Sequence, residues 1–359
     1  MTQENSTKTV CVTGASGFIA AHIVKQLLDQ GYRVKATVRG TAEKYPYLTS
    51  LDGATERLSF YQANLLEPGA FDEVVSGRDY VLHTASPYIV NVKDSQKELI
   101  DPAVNGTLNV LKACANTDSV KRVVITSSLA AITDEPHSDK VFSESDWNEK
   151  SDLKRNPYFY SKVCAEKAAW SYLDEHKESC GFDIVTINPF MVIGPSLGPS
   201  LNESNKVIRD MMSGQYPCLM KLNWGIVDVR DVANSHILAM NTKDASGRYL
   251  IVNENWKMSE MVNYLRNDLG YSAYKLPKVN LATPFGTKIM HLLSYTQPSG
   301  NATYIRSHVG QEMRFNNSKA IDELGIKYIP IKESVKEAVV DMLKWGHLKP
   351  RKAKKTAAA

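Results

Sequence analysis

One segment constrains this chain more than any other: Thr13-Gly14-Ala15-Ser16-Gly17-Phe18-Ile19-Ala20, set between a β-branched run and a helical pattern. Thr9-Val10-Cys11-Val12-Thr13 reads as a buried strand. From Gly17 to Gln30 the apolar residues Ile19, Ile23 and Leu27 fall on one helical stripe, and Gly31 supplies the stop. A strand feeding a helix through such a turn is the context of a dinucleotide-binding site. Gly14 permits the tight turn, Gly17 lets the backbone approach a pyrophosphate, and Ala20 allows the helix to pack closely on the sheet. The helix start offers unpaired N–H groups and partial positive charge to the phosphates. Gly14, Ala15, Ser16, Gly17, Phe18 and Ile19 are therefore expected to bind a dinucleotide.

The same alternation continues through the first half. Further strands are expected at Arg33–Val38, Leu58–Ala63, Tyr80–Thr84, Lys121–Thr126 and Asp183–Ile187, with helices near Pro102–Ala115 and Tyr158–His176. Strands alternating with helices at this spacing predict an α/β fold, a Rossmann-type doubly wound parallel sheet. After residue 188 the pattern changes. Pro189, Gly194, Pro195, Gly198 and Pro199 crowd one segment, which reads as entry to a smaller C-terminal substrate lobe. Beyond it, Val227-Asp228-Val229 and Tyr249–Val252 read as strands, and Ser259–Leu269 and Ser334–Lys344 as helices. The expected division is a nucleotide-binding domain over 1–188, to which 226–253 returns, a substrate-binding lobe over 189–345, and a basic, disordered tail over 346–359.

The end of the second strand discriminates between nucleotides. An NAD site places Asp or Glu there to bond the ribose hydroxyls. This chain reads Thr37-Val38-Arg39-Gly40, with Lys44 shortly after. Arg39 can form a planar, charge-assisted fork to a 2′-phosphate that a carboxylate would repel, so NADP is expected. A second constellation is Ser128 with Tyr158 and Lys162. Ser128 ends the run VVITSS at the carboxyl end of a strand, where open sheets bind ligands. Tyr158 and Lys162 lie four apart on one helix and share a face. An ammonium beside a phenol favours phenolate, which lets Tyr158 give or take a proton at a carbonyl or alcohol oxygen.

Composition narrows the classes. The formal charge is +4, but five cations (Lys349, Arg351, Lys352, Lys354, Lys355) sit in the last eleven residues. Removing those five from 43 basic residues leaves 38 against 39 acids, or −1, so the body carries no electrostatic footprint for nucleic acid. No apolar run is long enough for a membrane span, and the start MTQENSTKTV is unlike a signal peptide. The cysteines Cys11, Cys114, Cys164, Cys180 and Cys218 are scattered and unpaired in spacing, which suits reduced thiols in a cytoplasmic protein. The histidines lack metal spacing, so no metal is expected.

Taken together, TGASGFIA, KATVRG, VLHTASP, NGTLNVL, VVITSS, YFYSK with AEKAAW, INPFMVIGP and VDVRDVA resemble an extended short-chain dehydrogenase/reductase. The resemblance is to the group of dihydroflavonol reductases, cinnamoyl-CoA reductases and related aldehyde and ketone reductases. It implies that Asn64 and Leu65 flank the adenine, although relatives commonly have Asp where Asn64 stands. It implies that Thr84, Ala85 and Ser86 line the middle of the cofactor, that Pro189 to Val192 lie along the nicotinamide, and that Ser204 adds a contact. Asn105 resembles a fourth polar residue of the wider superfamily and is read as structural. In the mechanism the resemblance implies, NADPH gives hydride to a substrate carbonyl carbon and Tyr158 gives the oxygen its proton. Ser128 positions that oxygen, and Lys162 bonds the nicotinamide ribose and tunes Tyr158.

The expected protein is thus an NADPH-dependent carbonyl reductase acting on an aryl or alkyl aldehyde or ketone, as a monomer or homodimer. The substrate wall is expected to include Ser128, Tyr88, Tyr160 and Leu197, with Pro87, Thr133, Pro195, Met212 and Tyr216 as further candidates. Cinnamoyl-CoA reductases typically carry NWYCYGK. Here the stretch is Asn156-Pro157-Tyr158-Phe159-Tyr160-Ser161-Lys162, and its departures argue against a strict cinnamoyl-CoA assignment. A sugar-nucleotide epimerase or dehydratase would share Ser128, Tyr158 and Lys162, but such enzymes hold NAD with an acid where Arg39 stands. A non-catalytic NADP-sensing regulator on the same fold would often lack the tyrosine that this chain retains.

Overall fold

The first strand, β1 (Thr9–Thr13), shows how the layers arise. Val10 and Val12 enter one apolar cluster while Cys11 enters another, because successive side chains of a strand point to opposite faces. Both faces are covered, so Val10 to Val12 run apolar without alternation. The computed structural model describes residues 8–86, 92–297 and 299–349. The end of the basic tail and the candidate wall residues Pro87 and Tyr88 lie outside this range.

With β2 (Arg33–Val38), β3 (Leu58–Gln62), β4 (Tyr80–His83), β5 (Arg122–Thr126), β6 (Asp183–Pro189) and β7 (Gly247–Ile251), the first strand builds a seven-stranded sheet. Its spatial order is β7-β6-β5-β4-β1-β2-β3, and every pairing is parallel. This is the doubly wound sheet expected from the alternation. The order reverses between β1 and β4, and the crevice outside their carboxyl ends is where such sheets bind ligands.

Helix α1 (Phe18–Asp29) packs on one face with Ala20, Ile23, Val24 and Leu27. On the other face lie α2 (Asp101–Ala115) and α3 (Pro157–Glu175), the latter through Ala169 and Tyr172. The lobe has its own core, which includes α4 (Glu203–Ser213) and the strand Asn223–Asp228. That strand joins Met191–Ile193 and Glu254–Lys257 in a separate three-stranded sheet, while Gly247–Ile251 joins the large one.

The expected strand at Val227-Asp228-Val229 needs one correction. Val229 opens a helix, α5 (Val229–Asn241), that the periodicity reading missed. Asp228 is its N-cap, accepting the Arg230 N–H at 2.7 Å, so the chain turns from strand to helix at that carboxylate. The lobe also holds α6 (Pro284–Ser294) and α7 (Ser299–His308), and the chain closes through α8 (Ser318–Leu324) and α9 (Ile331–Lys344). Among the described residues all five cysteines are free thiols, and no helix is long and apolar enough to cross a membrane.

Candidate active site

The glycine turn after β1 is anchored by two threonines. Gly14 N–H donates to Thr37 Oγ1 at 3.1 Å and Ala15 N–H to the Thr37 carbonyl at 2.9 Å, which ties the turn to β2. Thr13 Oγ1 accepts the Thr84 and Ala85 N–H groups, each at 3.1 Å, which ties it to the segment after β4. With both acceptor positions of that hydroxyl used, its proton is left for His83 Nδ1 at 2.8 Å. Burial, with the Lys162 charge adding to it, lowers the His83 pKa to about 4, so the ring is neutral and can accept.

Gly14 sits at φ +66°, and a Cβ on it would lie 3.0 Å from Ala85 Cα. Only glycine fits both the left-handed backbone and that close approach. Gly17 N–H donates to the Gly14 carbonyl at 2.9 Å, and Gly17 precedes the first residue of α1. Ala15 is buried, the Ser16 carbonyl accepts the Tyr47 hydroxyl at 3.1 Å, and Phe18 meets His22 edge-on. Ile19 packs at the margin of the same core. The turn therefore fits a dinucleotide pyrophosphate by backbone conformation and by the absence of side-chain bulk.

At the end of β2, Arg39 is exposed. Lys44 is brought to the same place, since a Cβ on Gly40 would lie 2.9 Å from its Cδ. Asn64 is exposed in the turn after β3, where its side chain accepts the Leu66 N–H at 3.2 Å. Leu65 packs against Gly106 of α2, leaving no room there for a Cβ. Asn105 is exposed on α2.

Lys162 joins the segment after β4 to the start of α3. Its Nζ donates to Ser86 Oγ at 2.8 Å and lies 5.6 Å from the centroid of the Tyr158 ring. Burial lowers its pKa from 10.5 to about 8. Tyr158 is the second residue of α3, one place after Pro157, which is preset for a helix start. The preceding Asn156 takes φ 49°, the single non-glycine residue at positive φ among the described residues. Its amide donates to the buried Asp134 carboxylate, which Arg155 Nε also reaches at 3.0 Å, and this anchor fixes where the helix begins. Ser128 follows β5, where its Oγ accepts the Ala130 N–H at 3.1 Å and caps the short turn Leu129–Ala131. Asn188 of β6 donates to the Ser128 carbonyl at 3.2 Å.

Pro189 ends β6, Val192 is buried in the next short strand, and Ser204 is half-buried at the start of α4. Tyr160 lies about 200° around the helix from Tyr158, and its hydroxyl pairs with the Cys164 thiol, which raises its pKa. Leu197 packs against the core shared by β1 and α1. The lobe holds a chamber of about 890 Å³ lined by Tyr216, Met220, Trp224, Met290, Tyr304 and Ile305. Trp224 Nε1 donates to the hydroxyl of the half-buried Tyr304 at 3.0 Å, which pairs the polar ends of these two rings in the chamber wall. Among the described residues no group of His, Cys, Asp and Glu is gathered for a metal.

Thr13, Thr37 and Asn188 escaped the sequence reading. The signal available was polar residues inside otherwise apolar strands.

The profile of the NAD dependent epimerase/dehydratase family matches residues 10–253. The chain belongs to this family. Among family relatives, cinnamoyl-CoA reductase CAD2 of Medicago truncatula is 42% identical over 349 residues, covering 94% of this chain and 97% of that protein. Dihydroflavonol 4-reductase of Arabidopsis thaliana is 34% identical over 343 residues, covering 90% and 81%. The structure of yeast methylglyoxal/isovaleraldehyde reductase Gre2 complexed with NADPH superposes with a TM-score of 0.78 at 31% identity, over 95% of this chain and all of that one. The resemblance to the reductase branch of the family is borne out by these relatives, and with it an NADPH-dependent oxidoreductase.

Proposed function

We infer that the protein, an NADPH-dependent oxidoreductase, reduces the carbonyl of an aldehyde or ketone, aryl or alkyl, to the alcohol. The observation that carries the reading is Lys162, bonded to Ser86 on the cofactor side and standing 5.6 Å from the Tyr158 ring. Ser128, at the mouth of β5, completes the set. Arg39, in the place where an NAD site carries an acid, and Lys44 beside it supply the charge a 2′-phosphate needs. The reductases named above, one of them crystallised with NADPH, support the same cofactor.

Bound NADPH supplies the hydride. The chain's own residues do the rest. Gly14 to Ile19 hold the pyrophosphate, and Lys162 reaches the nicotinamide ribose while its charge favours proton loss from Tyr158. Tyr158 gives its proton to the carbonyl oxygen, and the Ser128 hydroxyl orients that oxygen.

The test is a panel of aliphatic and aryl aldehydes and ketones, followed through NADPH absorbance with wild type, Tyr158→Phe and Tyr160→Phe. Turnover on the panel with a loss of roughly 10²–10⁴-fold in Tyr158→Phe alone supports the reading. An active Tyr158→Phe beside an inactive Tyr160→Phe refutes the assignment of the proton donor.

A further inference from the structure

Glu166 lies one helical turn beyond Lys162 on α3, with 2% of its surface exposed. Its Oε1 accepts Arg248 Nε at 2.6 Å and Thr186 Oγ1 at 3.2 Å. Its Oε2 accepts Asn188 Nδ2 at 2.8 Å and the Ser127 hydroxyl. One carboxylate thus ties the helix bearing Tyr158 and Lys162 to β6, to β7, and to the residue that follows β5 and precedes Ser128. Asn188 divides its amide between this carboxylate and the Ser128 carbonyl. Arg248 is itself buried, stacks 3.9 Å over the Trp147 ring, and donates to the Glu144 carbonyl at 2.8 Å.

A buried ion pair is poor evidence of a stability role, because apolar residues of similar volume often serve the fold as well or better. What apolar residues cannot do is orient several donors from separate strands around one point. We propose that Glu166 is a positioning residue: through Ser127 and Asn188 it fixes Ser128 relative to Tyr158 and Lys162. This rests on the reading of those three residues as the reacting set.

The test compares wild type, Ser127→Ala and the double variant Glu166→Leu, Arg248→Met, which removes both charges and avoids stranding one. Thermal midpoint, NADPH affinity, kcat, KM and single-turnover rate are measured, with crystal structures of wild type and double variant in NADPH. The double variant should fold with a lowered thermal midpoint, because the Ser127, Thr186 and Asn188 donors lose their acceptor, and should keep its NADPH affinity within about twofold. Its single-turnover rate should fall roughly tenfold to a hundredfold, the scale of a misplacement of about 1 Å. Ser127→Ala should move kcat in the same direction by less, with KM unchanged. The Ser128 hydroxyl should be displaced from Tyr158 in the crystal structure of the double variant. If the double variant does not fold, Ser127→Ala, which deletes one hydroxyl, decides the matter. Wild-type kcat in folded Ser127→Ala, a wild-type single-turnover rate in the folded double variant, or an unmoved Ser128 would each overturn the proposal. A wild type inert toward every carbonyl sinks the functional reading instead, and the crystallographic comparison still tests the clamp.

Discussion

Lys162→Met keeps the length of the side chain and removes its charge and its donor to Ser86. At 5.6 Å from the Tyr158 ring, with an effective dielectric constant of about 20, a unit charge favours the phenolate by about 3 kcal/mol. If half of that is expressed in the proton-transfer transition state, the loss is about 1.5 kcal/mol, roughly tenfold in rate. Losing the proposed ribose contact adds to this, so a fall of roughly tenfold to a few hundredfold in single-turnover reduction is expected at saturating NADPH. The pH dependence gives a second readout. Burial lowers the ammonium pKa from 10.5 to about 8, so the charge is present below pH 8 and lost as pH rises through it. Wild-type reduction should decline above pH 8, and that limb should be missing from Lys162→Met. A third readout follows from the sign of the linkage. The unfolded chain holds this proton up to about pH 10.5 and the folded chain only to about 8, so the buried ammonium opposes folding below pH 8. Lys162→Met should therefore gain stability at pH 7 in denaturant titrations while losing rate. An unchanged hydride-transfer rate, or an alkaline limb that persists in the methionine variant, would refute the reasoning.

Replacing Arg39 with Asp should weaken NADPH far more than NADH in binding titrations, because repulsion replaces a charge-assisted pair; equal loss of both cofactors would remove Arg39 from the selection. Gly14→Ala must adopt φ +66°, at about 1–2 kcal/mol, and press a methyl 3.0 Å from Ala85 Cα. Its thermal midpoint should fall by several degrees and its NADPH Kd should rise tenfold or more, measured by calorimetry and titration. Asp231 is buried and its pKa is pushed up from 3.8 to about 7, so wild-type stability falls as pH rises from about 4 to 7. Asp231→Asn keeps an acceptor for the Ile329 N–H, bonded at 2.9 Å in the wild type, and removes that loss. Denaturant melts should show the variant gaining up to about 4 kcal/mol over wild type at pH 8 relative to pH 4.

What the residues determined unaided was local. Thr9–Thr13 is a strand and Phe18–Asp29 a helix because the apolar spacing switches period at a turn that only Gly14 can make. The four-residue step from Tyr158 to Lys162 places both on one helix face wherever that helix sits. Asp228 also carried its information locally, as an N-cap, yet the β-branched pair around it read as strand and hid the helix that follows. The strand order, which puts β4 beside β1 and so brings Ser86 to Lys162, required the tertiary structure. So did the pairing of Tyr160 with Cys164, the placement of Leu197 on the nucleotide-side core, and the neutral state of His83. Glu166 and Arg248 stand 82 residues apart, and nothing in either neighbourhood foretells their bond. Periodicity and backbone preference act over a few residues, whereas burial, pKa and long-range hydrogen bonding depend on which distant residues the fold brings into contact.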